Sequence, residues 1–216
     1  MDSATEFLRQ QNADLWQQIV AHDFCRQLAD GTLPADKMRG YLIQDYKFVG
    51  AFVRLLASAI AHAPTLADSV PAAQFLALIT GEENTYFLRS FAALNVSEQD
   101  QHAPAKPATT GFLQLMEDAI ASGRYEQMLA VICVAEWSYL SWATPYHPPQ
   151  SDLPFWLAEW ITLHAGEGFE AVVGYFRQQL DQCWGGLDEA ARQSVAETFA
   201  RAVRLEKQFF DESLQG

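Results

Sequence analysis

The sequence predicts an all-α protein. Apolar side chains recur at spacings of three and four residues along most of the 216-residue chain, and the apolar-polar alternation typical of β-strands is absent. Glycine and proline residues interrupt this pattern at intervals that suit helix ends. No internal repeat or long linker divides the chain, and its length suits one hydrophobic core. We therefore expect a single helical domain over residues 1–216.

The first part of the chain carries several helix-end signals. The segment Ser3-Ala-Thr-Glu6 has the spacing of a capping box. The helix that follows has an apolar stripe of Phe7, Leu8, Leu15, Ile19 and Val20. A short helical turn is expected over residues 24–29, and Gly31 ends it because glycine accepts the left-handed conformation. Pro34 can open the next helix, since a first-turn residue has no N–H partner to lose.

The remaining elements are also bounded by glycine and proline. A long central helix should run from about Pro34 to about Ala63, where Pro64 stops it. We expect Thr80-Gly81 to separate the next two helices and residues 95–107, which are polar and contain two prolines, to form a loop. The helices predicted after the central one cover residues 65–79, 82–94, 108–121, 124–144, 152–165, 167–184 and 187–213.

One face of the central helix contains a carboxylate among apolar side chains. Helical spacing places Asp45 on the same face as Tyr41, Leu42, Phe48, Val49 and Phe52. An ionised carboxylate in such surroundings is costly unless something pairs with it or hydrogen-bonds to it. Either Asp45 is a core residue paired with a Tyr or an Arg, or it lines a pocket.

Composition excludes several kinds of partner. The chain has 27 acidic and 14 basic side chains, a formal net charge of −13, which argues against binding nucleic acid or an anionic membrane surface. The three cysteines are far apart and form no CxxC pair, so we expect neither a zinc site nor a disulfide, and a reducing cytoplasmic setting. The N-terminus is too polar for a signal peptide, and no apolar run approaches about 18 residues, so we expect no membrane span.

The chain contains none of the common cofactor motifs. It has no Walker loop, no GxGxxG, no HExxH and no Glu-x-x-His pair, so we expect neither a metal nor another cofactor. His22 lies early in the chain, where an axial haem ligand is conceivable in a helical protein, but helix capping or a buried hydrogen bond is the commoner role.

Two further acidic residues lie on apolar helices. Glu136 shares a helix face with Cys133 and Tyr139 in a strongly apolar stretch, where desolvation would raise the pKa of its carboxyl toward the range of a general acid or base. The alternative is a core glutamate bonded to Trp or Tyr groups. Glu206 stands one turn before Phe209, and its ordinary interpretation is a surface ion pair with Lys207 or Arg204.

Several segments together resemble a known family. The segments His22-Asp-Phe24, Leu28-Ala-Asp-Gly-Thr-Leu-Pro34 and Tyr41-Leu-Ile-Gln-Asp-Tyr46 resemble the opening of the thiaminase-II (TenA) family, which has the haem-oxygenase-like helical fold. Glu206 followed by Phe209 is similar to the catalytic Glu and a pocket aromatic of that family. The resemblance implies a haem-oxygenase-like helical bundle and a homo-oligomer, either a dimer or a tetramer.

The resemblance also implies a reaction. Ungapped spacing from Asp45 and from Glu206 places Glu136, and not Cys133, at the position of the family's nucleophilic cysteine. That resembles the branch with Glu in place of Cys, which hydrolyses formylaminomethyl- or aminomethyl-pyrimidine to hydroxymethylpyrimidine in thiamin salvage. Thiaminase activity would be weak, because a carboxylate is a poorer nucleophile than a thiolate. The alternatives are a non-catalytic pyrimidine-binding or regulatory protein, and an oxidase similar to pyrroloquinoline-quinone synthase.

The resemblance assigns a role to each site residue. Glu206 and Glu136 would be catalytic, and Asp45 would accept a hydrogen bond from the exocyclic amine of the pyrimidine. Substrate-binding residues would also include Phe48, Phe112, Tyr139, His164 and Phe209. Of these, Phe48, Phe112 and His164 occupy positions where many members have Tyr, and these departures bear on the substrate.

Overall fold

A computed structural model describes residues 3–215, and within them all the regular structure is helical. Besides α-helices, these residues form a five-residue π-helical segment, Ile79–Glu83, and a 3₁₀ turn, Thr144–Tyr146. The all-α prediction is therefore confirmed. The helices are α1 (Ala4–Gln11), α2 (Ala13–Val20), α3 (Asp23–Ala29), α4 (Ala35–His62), α5 (Leu66–Leu78), α6 (Asn84–Ala93), α7 (Glu98–Gln101), α8 (Pro107–Ala121), α9 (Tyr125–Ala143), α10 (Phe155–Leu163), α11 (Gly166–Trp184) and α12 (Glu189–Gln215).

Helix α9 is the centre of the bundle. It is apolar on all sides, and 16 of its 19 residues are buried, as expected of a helix that is surrounded by others. Its neighbours are α2, α4, α8, α11 and α12. Glu136 lies in the middle of this helix and is therefore held among helices rather than at the surface. No helix within residues 3–215 has the length and apolarity needed to span a bilayer.

The helix-end signals at the start of the chain are confirmed. The Ser3 hydroxyl accepts a hydrogen bond from the Glu6 N–H, and Gly31 has a φ of 72° just after α3. His22 caps α3, because its Nδ1 accepts from the Phe24 N–H at 3.1 Å, while its Nε2 lies 3.1 Å from an Asp211 carboxylate oxygen. Both ring nitrogens of His22 are thus engaged in structural hydrogen bonds.

Two of the expected boundaries were wrong. The first helix is broken at Asn12, whose side-chain amide donates to the Leu8 carbonyl at 2.9 Å and so ends α1 before α2 begins. Such local bonds by asparagine compete with helix continuation. The expected loop over residues 95–107 contains a short helix, α7, because Ser97 and Asp100 form a reciprocal capping box.

The expected break at Thr80-Gly81 was also wrong. The chain stays helical from α5 through the π-helical segment into α6. The Thr80 hydroxyl donates to the Leu76 carbonyl at 2.8 Å, and the Thr85 hydroxyl donates to the Gly81 carbonyl at 2.9 Å. A π-helical turn holds an extra residue and is common at functional sites. Here the π-helical turn carries Glu83, whereas the predicted break would put Glu83 in the first turn of a separate helix.

Candidate active site

An internal cavity lies between α4, the π-helical segment, α9 and α10. Its polar lining consists of Asp45, Glu83, Glu136, Tyr139 and His164. Its apolar lining includes Phe48, Phe52, Ile79 and Trp160. The free volume is about 30 Å³, which accommodates water molecules, so an aromatic ring fits only after side chains move.

The acidic residues of this region have no partner. Within residues 3–215, the carboxylates of Asp45, Glu83, Glu136 and Glu206 form no hydrogen bond or ion pair. Asp45 is therefore not paired with a Tyr or an Arg, and Glu136 is not bonded to a Trp or a Tyr. Glu206 is 2% exposed and does not form the expected surface ion pair, because Lys207 binds Asp211 at 2.6 Å instead. Within residues 3–215, the fully buried side-chain polar atoms that lack a partner are Ser90 Oγ and Trp142 Nε1, so the unpaired carboxylate oxygens keep some accessible surface.

Burial dominates the electrostatics of the cluster. It raises the pKa of Asp45, Glu136 and Glu206 well above the usual range, because a charge is poorly solvated there. The negative charges of Glu83, Glu206 and Asp45 raise the pKa of Glu136 further. Burial also raises the pKa of Glu83 to about 7. The Glu83 carboxyl is therefore divided between its protonated and ionised forms at neutral pH.

A pair of tyrosines lies next to these carboxyl groups. The Trp160 Nε1 donates to the Tyr41 hydroxyl at 3.1 Å, and the Tyr41 and Tyr139 hydroxyls are hydrogen-bonded at 2.6 Å. Burial is the largest cause of the raised pKa of both tyrosines, and the charges of Asp45 and Glu206 add to it. Glu206 does not line the cavity itself.

His164 is neutral at physiological pH. Burial lowers its pKa to about 4. Its Nδ1 lies 2.8 Å from the Trp160 carbonyl oxygen, which can only accept, so Nδ1 carries the proton and Nε2 is an acceptor. The ring packs against Tyr139, with centroids 4.8 Å apart. The imidazole therefore supplies an uncharged acceptor and an aromatic surface.

The predicted aromatic residues divide into two layers. Phe48 and Tyr139 line the cavity. Phe112 lies behind Phe48, edge-on with centroids 5.1 Å apart, and Phe209 packs edge-on against Tyr41 at 5.5 Å. Neither Phe112 nor Phe209 lines the cavity in this structure, so contact between them and a ligand would require the inner layer to move.

Comparison with known proteins identifies the family. The sequence model of the TENA/THI-4/PQQC family matches residues 9–216. The chain belongs to this family. The resemblance deduced from the sequence is thus confirmed.

Relatives and solved structures agree with this assignment. An aminopyrimidine aminohydrolase from Halalkalibacterium halodurans is 25% identical over 200 residues, which cover 91% of this chain and 89% of that protein. One from Bacillus subtilis is 26% identical over 205 residues, covering 91% and 80%. The structure of a TenA homologue from P. horikoshii OT3 superposes with a TM-score of 0.84 at 20% identity, covering 99% of both chains. The haem-oxygenase-like fold is therefore confirmed.

The two residues that compete for the nucleophile position of the TENA/THI-4/PQQC family differ in placement. Glu136 lines the cavity, whereas Cys133 is 1% exposed and is not among the lining residues. Burial raises the pKa of the Cys133 thiol and outweighs the opposing charge of Arg177, so the thiol stays protonated. A protonated, enclosed thiol is a poor nucleophile.

Sequence reasoning missed two residues of the cavity, Glu83 and Trp160. Glu83 was overlooked because Gly81 was interpreted as a helix break. Ile79 and Glu83 are four residues apart, and a continuous helix would have placed them on one face. Within residues 3–215, no group of three or more His, Cys, Asp or Glu side chains is arranged to hold a metal ion.

The unpaired carboxyl groups predict how stability depends on pH. Glu206 and its neighbours have raised pKa values in the folded protein, so they keep their protons to a higher pH than in the unfolded chain, where carboxyl groups ionise above about pH 4. Each such group therefore lowers the free energy of unfolding as the pH rises from about 4 toward its folded pKa. We expect Glu206→Gln to raise Tm over wild type, with a larger gain at pH 8 than at pH 5. Thermal unfolding of both proteins at pH 5 and at pH 8 measures this gain. Each kcal/mol added to the free energy of unfolding should raise Tm by about 2–4 °C.

The comparison with wild type isolates this contribution. His164 acts in the opposite direction, because its pKa is lowered, but both proteins contain it. Exposed Glu197 on the same helix provides the matched control, and Glu197→Gln should show no gain that grows with pH. A Glu206→Gln variant that is less stable than wild type at pH 8 would show that the carboxylate has a stabilising partner.

Proposed function

We propose that this protein hydrolyses the 5-aminomethyl or 5-formylaminomethyl group of a 4-amino-2-methylpyrimidine and so yields hydroxymethylpyrimidine for thiamin salvage. The observation that carries the proposal is the cluster of buried, unpartnered carboxyl groups around one cavity, in a family whose relatives above are named aminopyrimidine aminohydrolases. The proposal covers one domain over residues 1–216.

The carboxyl groups suit the two proton transfers that the reaction needs. Water attacks the carbon that bears the nitrogen and the C–N bond breaks. Ammonia leaves when the free amine is the substrate, and formamide leaves when the formylamide is the substrate. Glu136, which lines the cavity, would hold or deprotonate the water. Glu206, which is buried outside the present lining, would protonate the leaving nitrogen once the cavity widens. Both pKa values are raised by desolvation, toward the range that suits a general acid or base near neutral pH.

The remaining cavity residues would hold the ring. Asp45 would accept a hydrogen bond from the exocyclic 4-amino group, and Phe48 and Tyr139 would stack against the pyrimidine. His164 Nε2 offers another acceptor beside them. Phe112 and Phe209 would support this inner layer, and would meet the substrate once the cavity widens.

The proposal also covers the oligomeric state and the cellular compartment of the enzyme. We expect a homo-oligomer, either a dimer or a tetramer, that acts in the cytoplasm on a small pyrimidine, because the family resemblance implies this assembly. Cys25, Cys133 and Cys183 are free thiols, which suits a reducing compartment. An oxidase similar to pyrroloquinoline-quinone synthase is less well supported, because the cavity lining has three carboxylates, one neutral histidine and no Lys or Arg.

Product analysis tests the proposal. Incubation with aminomethyl- and formylaminomethyl-pyrimidine should release hydroxymethylpyrimidine, detectable by chromatography, from at least one of them. Cleavage of thiamin should be much slower, since a carboxylate stands where the thiolate would attack. Saturable binding without product would identify a pyrimidine-binding protein instead, and faster turnover of thiamin would contradict the proposed reaction.

A further inference from the structure

Glu83 is the cavity residue for which the proposed chemistry has no role. It lies on the π-helical segment, is half-buried, and has no hydrogen-bond or ion-pair partner within residues 3–215. Its carboxylate borders the internal cavity together with Asp45 and Glu136. An unpartnered carboxylate at such a place is costly for the empty protein, so a ligand that satisfies it would gain affinity there.

Glu83 also borders a groove on the outside of the bundle. This groove, with a volume of about 410 Å³, runs between α5 and the start of α11 and includes Phe75, Leu78 and Phe169. The groove and the cavity are separated by a single layer of side chains at this point. His164, which lines the cavity, packs edge-on against Phe169, which lines the groove, with ring centroids 5.3 Å apart. Glu83 borders both spaces, so its carboxylate lies where the groove and the cavity approach each other.

The charges along this route favour a cation. Asp45, Glu83 and Glu136 line the cavity, and neither the cavity nor the groove is lined by a Lys or an Arg. His164 stays neutral and adds no positive charge. In a poorly hydrated cavity, attraction between a carboxylate and an ammonium group is much stronger than in water.

The two proposed substrates differ in this charge. The aminomethyl group is a primary alkylamine, which is protonated at neutral pH, whereas the formylaminomethyl group is a neutral amide. Resting on the proposed function, we propose that Glu83 is a specificity-determining residue that binds the protonated aminomethyl group and makes the enzyme prefer the free amine over the formylamide. A charge-assisted hydrogen bond of this kind has no counterpart with the neutral amide.

Glu83→Gln tests the inference, with Glu82→Gln as the matched control. Glu82 is the adjacent residue of the same segment and is exposed. It borders the groove but not the cavity, so it separates a carboxylate of the cavity from one of the groove alone. We expect Glu83→Gln to lower kcat/KM for the aminomethyl substrate by roughly 10- to 100-fold, mainly through KM, as the loss of a charge-assisted bond implies. Turnover of the formylaminomethyl substrate should be unchanged, and Glu82→Gln should change neither.

Other outcomes of this experiment would overturn the inference. Equal losses with both substrates would mean that Glu83 supports the π-helical segment rather than recognising charge, and no loss with the amine would mean that it makes no contact. Glu83→Asp should keep the preference for the amine, and thermal unfolding of each variant establishes that it is folded.

Binding measurements separate this inference from the proposed function. If wild type turns over neither substrate, the proposed function fails, but calorimetry can still compare the aminomethyl-pyrimidine with the neutral hydroxymethyl-pyrimidine. A preference for the charged ligand that Glu83→Gln removes would support charge recognition by Glu83. Equal affinity of wild type for both ligands would overturn it.

Discussion

Glu136→Gln is expected to abolish turnover of formylaminomethyl-pyrimidine while leaving its binding largely intact. The amide keeps the size of the side chain and some hydrogen bonding, but it cannot take a proton from water. General-base catalysis by a positioned side chain typically contributes about 10²–10⁴-fold, so kcat should fall by that amount with little change in KM. Steady-state kinetics and calorimetry with the same ligand measure the two effects.

Cys133→Ser is the matched control on the same helix face. Cys133 lies one turn before Glu136, but it is packed in the core, and burial keeps its thiol protonated. Its replacement by serine should leave kcat nearly unchanged. The opposite pattern, with Cys133→Ser inactive and Glu136→Gln active, would place this chain among the thiol-dependent enzymes and refute the role of Glu136.

Glu206→Gln is expected to cause a loss of similar size, about 10²–10⁴-fold in kcat. Glu206 would protonate the leaving nitrogen of the neutral formylamide, and a glutamine cannot. Desolvation and the charge of Asp45 raise the pKa of its buried carboxyl well above the usual range, which favours the protonated form. Because a general acid must be protonated, the wild-type rate should fall at high pH, and this fall should be absent from the residual activity of the variant. A pH profile of kcat measures it.

Exposed Glu197 again serves as the control for Glu206, because Glu197→Gln changes a carboxylate of the same helix that is at the surface and not buried. Full activity in Glu206→Gln, combined with inactivity in Glu136→Gln, would make Glu206 structural. Full activity in Glu136→Gln and Cys133→Ser, with loss only in Glu206→Gln, would instead mean that Glu206 alone activates water.

These expectations share a physical basis, which is that the protein keeps carboxyl groups buried without partners. Each one costs stability, as the raised pKa values of Asp45, Glu136 and Glu206 indicate. Buried polar groups without partners break the usual rule of protein interiors, and such exceptions are expected at functional sites. Substitutions that stabilise the protein at high pH should therefore be the ones that remove activity.

The sequence by itself determined the helical fold and the helices that carry the candidate site. The apolar spacing along α4 and α9 is a local property of the backbone period, and it was sufficient to place Asp45 with Phe48 on one face and Glu136 with Tyr139 on another. The family resemblance could be recognised from the sequence because its segments lie at the ends and on the buried faces of these helices, which local sequence patterns determine.

Only the tertiary structure decided which acidic residues are paired and which face the cavity. Glu206 has Lys207 beside it in the sequence, yet Lys207 binds Asp211, while Glu206 is buried without an ion-pair partner within residues 3–215. Glu83 reaches the cavity because the chain continues as a π-helix through Gly81, which local signals could not distinguish from a break. The physical reason is that hydrogen-bond partners and burial come from other helices, and these are brought together only by packing.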